Sequence, residues 1–297
     1  MKSYVSLLFF IWTCAFTADM AKARAAIVLP RVTVAVLDLG ETETGQRAAD
    51  ELSGALAQTP EFALVNRGQS RAAARGVGYA RSLNLTLSEA RDLGGAIGCD
   101  FYFTGAAQTL RRTSSARPDY FESYASLFLV STSTGQLMLW EEFNAESATP
   151  TEAEQSLLAE LRARAARYGE LISKTQAAER SERQLARDGA GAFEDAPEDD
   201  SPAAVNYRAP QPYRSLRPAY TAMAARVAAE ATVDALVAVD AAGEVKDIKI
   251  VRWGGYGLNE AVVAVVRQLH FRPATRAGRA IPIRVLLRYN FRRPAEK

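Results

Sequence analysis

Histidine and cysteine are scarce in this sequence, and their scarcity excludes most metal and catalytic sites. The chain contains one histidine, His270, and two cysteines, Cys14 and Cys99. A zinc site needs three or four convergent ligands, and the common nucleophile pairs need a well-placed histidine. The sequence also has no Gly-x-Ser-x-Gly element and no glycine-rich loop ending in Lys-Ser or Lys-Thr. We therefore expect a binding protein and not an enzyme, with no metal and no cofactor, and we expect His270 to pack beside Phe271.

Long apolar runs are missing except near the start of the chain. Residues 4–18 form an apolar run of about fifteen residues, and Ala23-Arg24-Ala25 has the small-x-small form that precedes cleavage. A membrane-spanning helix needs about 20 residues. Residues 1–25 are therefore predicted to be a signal peptide that is cleaved before Ala26, and a retained membrane anchor is the alternative. After cleavage only Cys99 remains, so no intramolecular disulfide is expected and this thiol is predicted to be buried and inert.

Residues 31–148 alternate predicted strands and helices. Val32, Val34 and Val36 begin a strand, and Ser88 is a candidate cap for a later helix. The predicted elements are a strand at 32–40, a helix at 45–58, a strand at 62–65, a helix from 86 or 88 to 98, a strand at 100–111, and a hairpin of 120–130 with 136–144. This order predicts an α/β domain with a mixed sheet.

Residues 149–187 are predicted to form a long helix. Pro150 suits the first turn, and apolar or small residues then recur three and four apart: Leu158, Leu161, Ala165, Tyr168, Ile172 and Thr175. Packing on its own domain and a coiled-coil homodimer are the two alternatives. Residues 188–212 are acidic and contain proline, which predicts a flexible linker. In an alternative interpretation, its acidic run folds back on the basic end of the chain.

Residues 213–297 are predicted to form a small α+β domain. Strands at 229–240 and 244–253 flank a glycine turn, an amphipathic helix follows, and residues 281–293 form the last strand. That strand alternates between two faces. One face holds Ile281, Ile283, Val285, Leu287, Tyr289 and Phe291, and the other holds Arg284, Arg288 and Arg292. The prediction is a three-stranded antiparallel sheet covered by one helix, in a chain of overall α+β class.

The motifs of this last region resemble the TonB C-terminal domain family. The family's Asp-x-x-Gly-x-Val turn is matched by Asp240, Gly243 and Val245. The other matches are the opening Pro218-Ala219-Tyr220 with Ala224, the helix start Leu258-Asn259-Glu260-Ala261, and the helix exit Phe271-Arg272-Pro273-Ala274. Thr221 replaces the second proline of the opening motif. The resemblance implies a domain that grips an extended segment of an outer-membrane receptor by adding it as a strand.

The last strand is therefore the predicted partner-binding site. If it lies at the sheet edge, its backbone groups are free to pair with a partner, and its arginines select an acidic or polar one. The predicted partner-binding residues are Arg284, Val285, Leu287, Arg288, Tyr289 and Arg292. A proline at Val285 or Leu287 is expected to abolish partner binding. From residue 252 to residue 297 there are ten basic and two acidic residues, so an anionic lipid surface is a second candidate and a solvated basic face is the simpler alternative.

Residues 31–148 also resemble the envelope proteins related to the curli-secretion lipoprotein CsgG. The likeness is carried by Val34-Ala35-Val36-Leu37-Asp38, Leu52-Ser53-Gly54-Ala55-Leu56 and Phe62-Ala63-Leu64-Val65-Asn66-Arg67. It covers only the soluble α/β part of that family, so a pore function is not implied.

These resemblances imply a TonB-family protein of the cell envelope. Its C-terminal domain is expected to bind an outer-membrane receptor or an envelope assembly protein and to support transport. The alternative is a soluble periplasmic adaptor, or a peptidoglycan- or lipid-binding module, without energy coupling. With a cleaved signal peptide the protein is expected in the periplasm, and with a retained anchor in the inner membrane facing the periplasm. No nucleic-acid partner is expected.

Overall fold

The computed structural model describes residues 31–113, 119–188, 193–197 and 201–293. The predicted signal peptide, residues 1–25, and its cleavage site before Ala26 lie outside these ranges. Helices and strands occur together in several sheets, which confirms the predicted mixture of the α+β class. Among the described helices, none is both long enough and apolar enough to span a bilayer.

The first half of the chain forms one mixed sheet with helices on both faces. Its elements are β1 (Val32–Leu39), α1 (Glu43–Leu56), β2 (Phe62–Leu64), α2 (Arg67–Gly76), α3 (Leu87–Ile97), β3 (Phe101–Arg112), β4 (Tyr120–Ser131), β5 (Leu137–Ser147) and α4 (Pro150–Asp188). The strand order is β2-β1-β3-β4-β5. β1 is parallel to both β2 and β3, while β4 is antiparallel to both β3 and β5.

The strand β1 is buried on both faces. Val34 and Val36 pack in a cluster with α1 and α4, while Ala35 and Leu37 belong to a second cluster on the opposite face. A strand covered on both sides has no polar face, which explains its nearly continuous apolar sequence.

Two helices of this half differ from the sequence expectation. The apolar pattern does not predict α2, because only Ser70 and Ala74 of its ten residues are buried. At the start of α3, Thr86 is the cap and Ser88 lies inside the first turn. Thr86 Oγ1 accepts a hydrogen bond from the Glu89 N–H at 3.1 Å, and Glu89 Oε2 accepts one from the Thr86 N–H at 2.7 Å. This reciprocal pair outcompetes Ser88 because Glu89 stands three residues after Thr86.

The long helix α4 packs along the first face of the sheet. Its fully buried side chains include Leu157, Leu161, Tyr168 and Ile172. Leu158 is only half-buried, since Leu157 takes the inward position. The chain's own sheet covers this apolar stripe, which favours a helix packed on its own domain over a coiled-coil homodimer.

The second half contains one larger sheet and two small ones. Its elements are β6 (Glu194–Asp195), a 3₁₀ turn (Pro202–Ala204), β7 (Tyr207–Arg208), β8 (Gln211–Pro212), α5 (Ala222–Arg226), β9 (Ala231–Val239), β10 (Val245–Arg252), α6 (Leu258–Val266), β11 (Phe271–Arg272), β12 (Ala274–Arg276), β13 (Arg279–Ile281) and β14 (Ile283–Phe291). The larger sheet has the order β10-β9-β14-β6, with β9 antiparallel to β10 and β14. The last strand begins at Ile283 and not at Ile281, because Pro282 has no N–H and separates β14 from the hairpin of β12 and β13.

The predicted flexible linker, residues 188–212, pairs with the end of the chain in its described parts. β6 pairs with β14, β7 with β12 and β8 with β11. These segments therefore belong to the sheets of the C-terminal region, as in the alternative in which the acidic run folds back. A strand of two residues is too short to show a periodic sequence pattern. Such strands can therefore be recognised only from their pairing with strands far along the chain.

One hydrophobic cluster joins the two halves. Tyr102 and Phe128, on the second face of the first sheet, lie in the same buried cluster as Trp253 and Tyr256. The Phe128 ring centroid is 5.9 Å from that of Trp253 and 5.3 Å from that of Tyr256. Trp253 is 1% exposed, and its indole N–H donates to the Gly135 carbonyl at 3.2 Å. The two predicted domains therefore pack directly on each other.

Candidate partner-binding edge

The larger C-terminal sheet has a long open edge along β14. On one side, β9 pairs with β14 over nine residues. On the other side, β6 pairs only with Ile283 and Arg284. Within the described ranges no strand lies further along that side, so the outer edge is open over residues 285–291.

The backbone pattern shows which peptide groups face this edge. The Ala196 N–H donates to the Arg284 carbonyl oxygen at 3.1 Å, so the peptide groups of Arg284 face outward. Successive residues of a strand direct their N–H and C=O groups to alternate sides. Leu286, Arg288 and Asn290 therefore also face the outer edge, and the residues between them bond to β9.

Three residues of the predicted site hold β14 on the domain. Val285, Leu287 and Tyr289 are half-buried and pack against the hydrophobic cluster. Burial raises the pKa of the Tyr289 hydroxyl. Because their peptide groups bond to β9, a proline at Val285 or Leu287 would break the sheet and report on folding. A proline that tests partner binding without breaking the sheet therefore has to replace a residue whose peptide groups face the outer edge.

The three arginines of the predicted site have different surroundings. Arg284 Nη1 lies 3.1 Å from Asp195 Oδ1. Arg288 donates from Nε and Nη2 to the two carboxylate oxygens of Asp234 at 2.7 and 3.0 Å, and these bonds with the charge of Asp234 raise the pKa of Arg288. Arg292 is exposed, and the described residues place no ion-pair partner beside it. Arg288 thus forms an ion pair within the domain, whereas Arg292 is available to contact a partner.

Asp234 is a residue of this site that the sequence interpretation missed. It is 4% exposed, and it also accepts a hydrogen bond from Arg252 Nε at 3.4 Å. It lies opposite Arg288 on one neighbouring strand and opposite Arg252 on the other. A carboxylate inside an apolar strand needs a cationic partner, and that requirement is the signal that could have identified it.

The covering helix, the central strands and the open edge lie within one segment, residues 217–292. This segment matches the family model of the Gram-negative bacterial TonB protein C-terminal. Residues 217–292 are a TonB-like domain. The match covers about a quarter of the chain and supports a TonB-like protein of the cell envelope. The likeness of residues 31–148 to curli-secretion-type proteins receives no support and stays a prediction.

Several solved structures are similar to this chain at low identity. Lipoprotein GNA1162 from Neisseria meningitidis is 10% identical, with a TM-score of 0.34, over 48% of this chain and 99% of that chain. The hypothetical protein CT253 from Chlamydia trachomatis is 12% identical, with a TM-score of 0.32, over 45% of this chain and 95% of that one. LpoB from E. coli is 16% identical, with a TM-score of 0.28, over 40% of this chain and 57% of that chain. No curated protein matches this chain. Likenesses at this level assign no function.

The second edge of the larger sheet, along β10, is closed at both ends. Thr86 forms a bridge with Arg252, and His270 forms one with Glu244. Between these bridges, a groove of about 780 Å³ separates β10 and α6 from the start of β5. The β10 edge is therefore blocked at both ends, whereas the β14 edge is blocked only at its start, which makes β14 the better candidate edge.

His270 and Cys99 lie apart from this edge. His270 is exposed, with Nδ1 3.1 Å from Glu244 Oε1, because Phe271 takes the inward position of β11. The expected packing of His270 is therefore wrong. Cys99 is buried as predicted, and burial raises the pKa of its thiol to about 12, so it stays protonated at neutral pH. In the part of the chain that the structure describes, no group of three or more His, Cys, Asp or Glu side chains is placed to hold a metal ion.

Proposed function

We propose that the TonB-like domain binds an extended segment of another envelope protein by adding it as a strand to the outer edge of β14. The observation that carries the proposal is the set of outward peptide groups at Leu286, Arg288 and Asn290. Backbone hydrogen bonds supply affinity in this mode of recognition, and the exposed side chains supply selectivity. The function is binding, without catalysis.

The partner class follows from the TonB-like domain. It is an outer-membrane receptor or an envelope assembly protein, and the complex supports transport across the envelope. Energy coupling would need residues 1–25 to remain as an inner-membrane anchor. Cleavage before Ala26 would instead make the protein a periplasmic adaptor without energy coupling.

Two features favour a protein partner over peptidoglycan or an anionic lipid surface. The first half of the chain contacts the side of β10 and leaves the side of β14 accessible to a peptide. Arg276, Arg284 and Arg288 already face carboxylates, so the basic end of the chain carries less unpaired charge than its sequence indicates.

A proline at Leu286 tests strand addition. Leu286→Pro removes one outward N–H and none of the N–H groups that bond to β9, and the Leu286 side chain is 49% exposed. Proline is tolerated at such an edge position, so the variant is expected to fold. A photoreactive residue placed at Asn290 should crosslink, in the native cell envelope, to an extended segment of an envelope protein. Leu286→Pro should lower that yield by about tenfold, the equivalent of one or two backbone hydrogen bonds.

Leu286→Ala is the matched control, since it removes the same side chain and keeps the N–H. A photoreactive residue at Lys249, exposed in the middle of β10, reports on the other edge. Circular dichroism verifies that each variant is folded. Equal losses in the proline and alanine variants, or equal crosslinking from Lys249 and Asn290, would contradict the proposal.

A further inference from the structure

A short acidic segment of the chain already occupies the start of the partner edge. This segment, residues 193–197, is called the strap. Its strand β6 runs parallel to β14 with Asp195 opposite Arg284, and the Ala196 N–H donates to the Arg284 carbonyl at 3.1 Å. The strap therefore makes the same kind of backbone pairing that the proposed function assigns to a partner.

Both carboxylates of the strap face arginines. Asp195 Oδ1 lies 3.1 Å from Arg284 Nη1, and Glu194 Oε2 lies 2.7 Å from Arg276 Nη1. The Glu194 and Asp195 side chains are 59% and 75% exposed. Ion pairs this exposed contribute little to stability, so the strap is held weakly enough to be exchanged.

We propose that the strap is an internal stand-in for the partner, and that the partner is a parallel, extended peptide with adjacent carboxylates that displaces it. This inference rests on strand addition at β14. In the register of the strap, the residue two positions after Asp195 lies opposite Leu286, which is half exposed. The strap has Pro197 there, so its own sequence defines the pattern Glu-Asp-x-apolar that a partner on this edge would share.

The strap also sets how strongly an external peptide binds. Because it is tethered to the same chain, it competes at an effective concentration in the millimolar range. Removing its carboxylates therefore raises the apparent affinity of the edge for an external acidic peptide. High salt screens the same ion pairs and lowers the affinity for that peptide as well, so salt alone is a poor test.

The test uses a fluorescent peptide with the sequence of residues 191–199 and the purified protein, measured by fluorescence anisotropy. The variant E194A/D195A should bind this peptide about threefold to tenfold more tightly than the wild type, since the competing strap loses two exposed ion pairs. Adding Arg284→Ala to E194A/D195A should remove this increase in affinity, because the peptide then loses its own ion-pair partner. Adding Arg91→Ala, an exposed arginine of α3, should preserve it.

Equal affinities of the wild type and E194A/D195A would overturn the inference. Equal binding of a control peptide with lysine at both carboxylate positions would also overturn it, because charge would then play no part. Binding of phosphatidylglycerol vesicles, and not of the peptide, to E194A/D195A would assign the surface to lipid. Crosslinking from Asn290 in cells tests strand addition without assuming any role for the strap. If that crosslinking persists in any of these cases, strand addition stands and the strap inference alone fails.

Discussion

Asn84 holds the two halves of the chain together through a single side chain. Its Nδ2 donates to the carbonyl oxygens of Thr232 and Trp253 at 2.7 and 2.8 Å, and its Oδ1 accepts from the Thr232 N–H at 3.0 Å. Beside it, the Trp253 N–H donates to the Leu85 carbonyl at 3.1 Å. A side-chain amide is well suited to this position because it both donates and accepts.

Replacing Asn84 by alanine should lower the free energy of unfolding by about 2 kcal/mol, because one backbone N–H and two carbonyls lose their partner. Urea denaturation measures the change. Asn290→Ala is the control, since its amide oxygen accepts from the exposed hydroxyl of Thr232, and its loss should stay below about 0.5 kcal/mol. Losses of equal size would mean that the Asn84 contacts do not stabilise the packing of the halves.

The sequence predicts only those features of the candidate site that follow from the local residue pattern of a single strand. The two faces of β14 follow from the period-two alternation, and Val285, Leu287 and Tyr289 do lie on the inward face. The pairing of Arg288 with Asp234 depends on strand register, and β10 carries two register shifts. The alternation of apolar and polar residues along one strand predicts which side chains share a face of the sheet. It does not predict which residue of the neighbouring strand lies opposite each of them.

At the scale of elements, the loop between β10 and α6 is shaped by its contact with β4. Gly255 has a φ of +66°, and a Cβ atom at this position would lie 2.1 Å from Cε1 of Phe128. The loop therefore approaches the first sheet so closely that only glycine fits.

Gly255→Ala should destabilise the protein by about 3 kcal/mol or more, through both the clash with Phe128 and the left-handed backbone. Gly278→Ala is a matched control. Its φ is +79°, but nothing lies near its Cβ position, so only the backbone cost of about 1 kcal/mol applies. Thermal unfolding of the two variants compares them directly. An equal shift in both would show that the contact with Phe128 adds nothing.

The longer elements were predictable, and the shortest were not. β1 and β14 have sequence patterns that a helix cannot produce, and most of the first-half helices have an apolar stripe. β6, β7 and β8 have two residues each, and they exist only because distant strands offer unpaired backbone groups. The charge of Glu194 and Asp195 indicated a contact with the basic end, but not its position.

At the scale of the whole molecule, ion pairs tie the first sheet to α5. Glu122 of β4 is bound by Arg226 of α5 and by Arg112 Nε at 2.8 Å, and Arg226 Nη1 also lies 3.1 Å from Glu142 of β5. Burial alone would raise the pKa of Glu122, but the hydrogen bonds and charges of the two arginines outweigh it, so this pKa lies below the ordinary 4.5. The unfolded chain therefore binds the proton more readily than the folded one.

The contribution of Glu122 to stability is fully present above the ordinary pKa of 4.5 and is lost as the pH falls through the lower, folded-state value. Urea unfolding between about pH 7 and about pH 3 should show a steeper loss for the wild type than for Glu122→Gln. Arg226→Met should also flatten the curve, because it removes a cause of the shift. Identical curves for the three proteins would exclude this pair as a source of the acid sensitivity.

The packing of the two halves against each other could not be predicted from the sequence. Each half has a pattern that is complete by itself, and each resemblance covers one half. On the contact surface, the face of the first sheet meets loops such as Asn84-Leu85-Thr86 and Gly254-Gly255-Tyr256-Gly257, which have no periodic pattern. A composition shift between helix and sheet marked residues 188–212 as a linker, but composition does not reveal whether a linker finds a partner.

The shared hydrophobic cluster has a consequence for folding during synthesis. Hydrogen bonds between the halves connect residues as far as 169 positions apart, and contacts this distant make folding slow. Tyr102 and Phe128 emerge from the ribosome long before Trp253 and Tyr256, which cover them. During that interval the nascent chain exposes an apolar sheet face to water and to other chains. Only when the last quarter of the chain has been synthesised can this face be covered as it is in the folded protein.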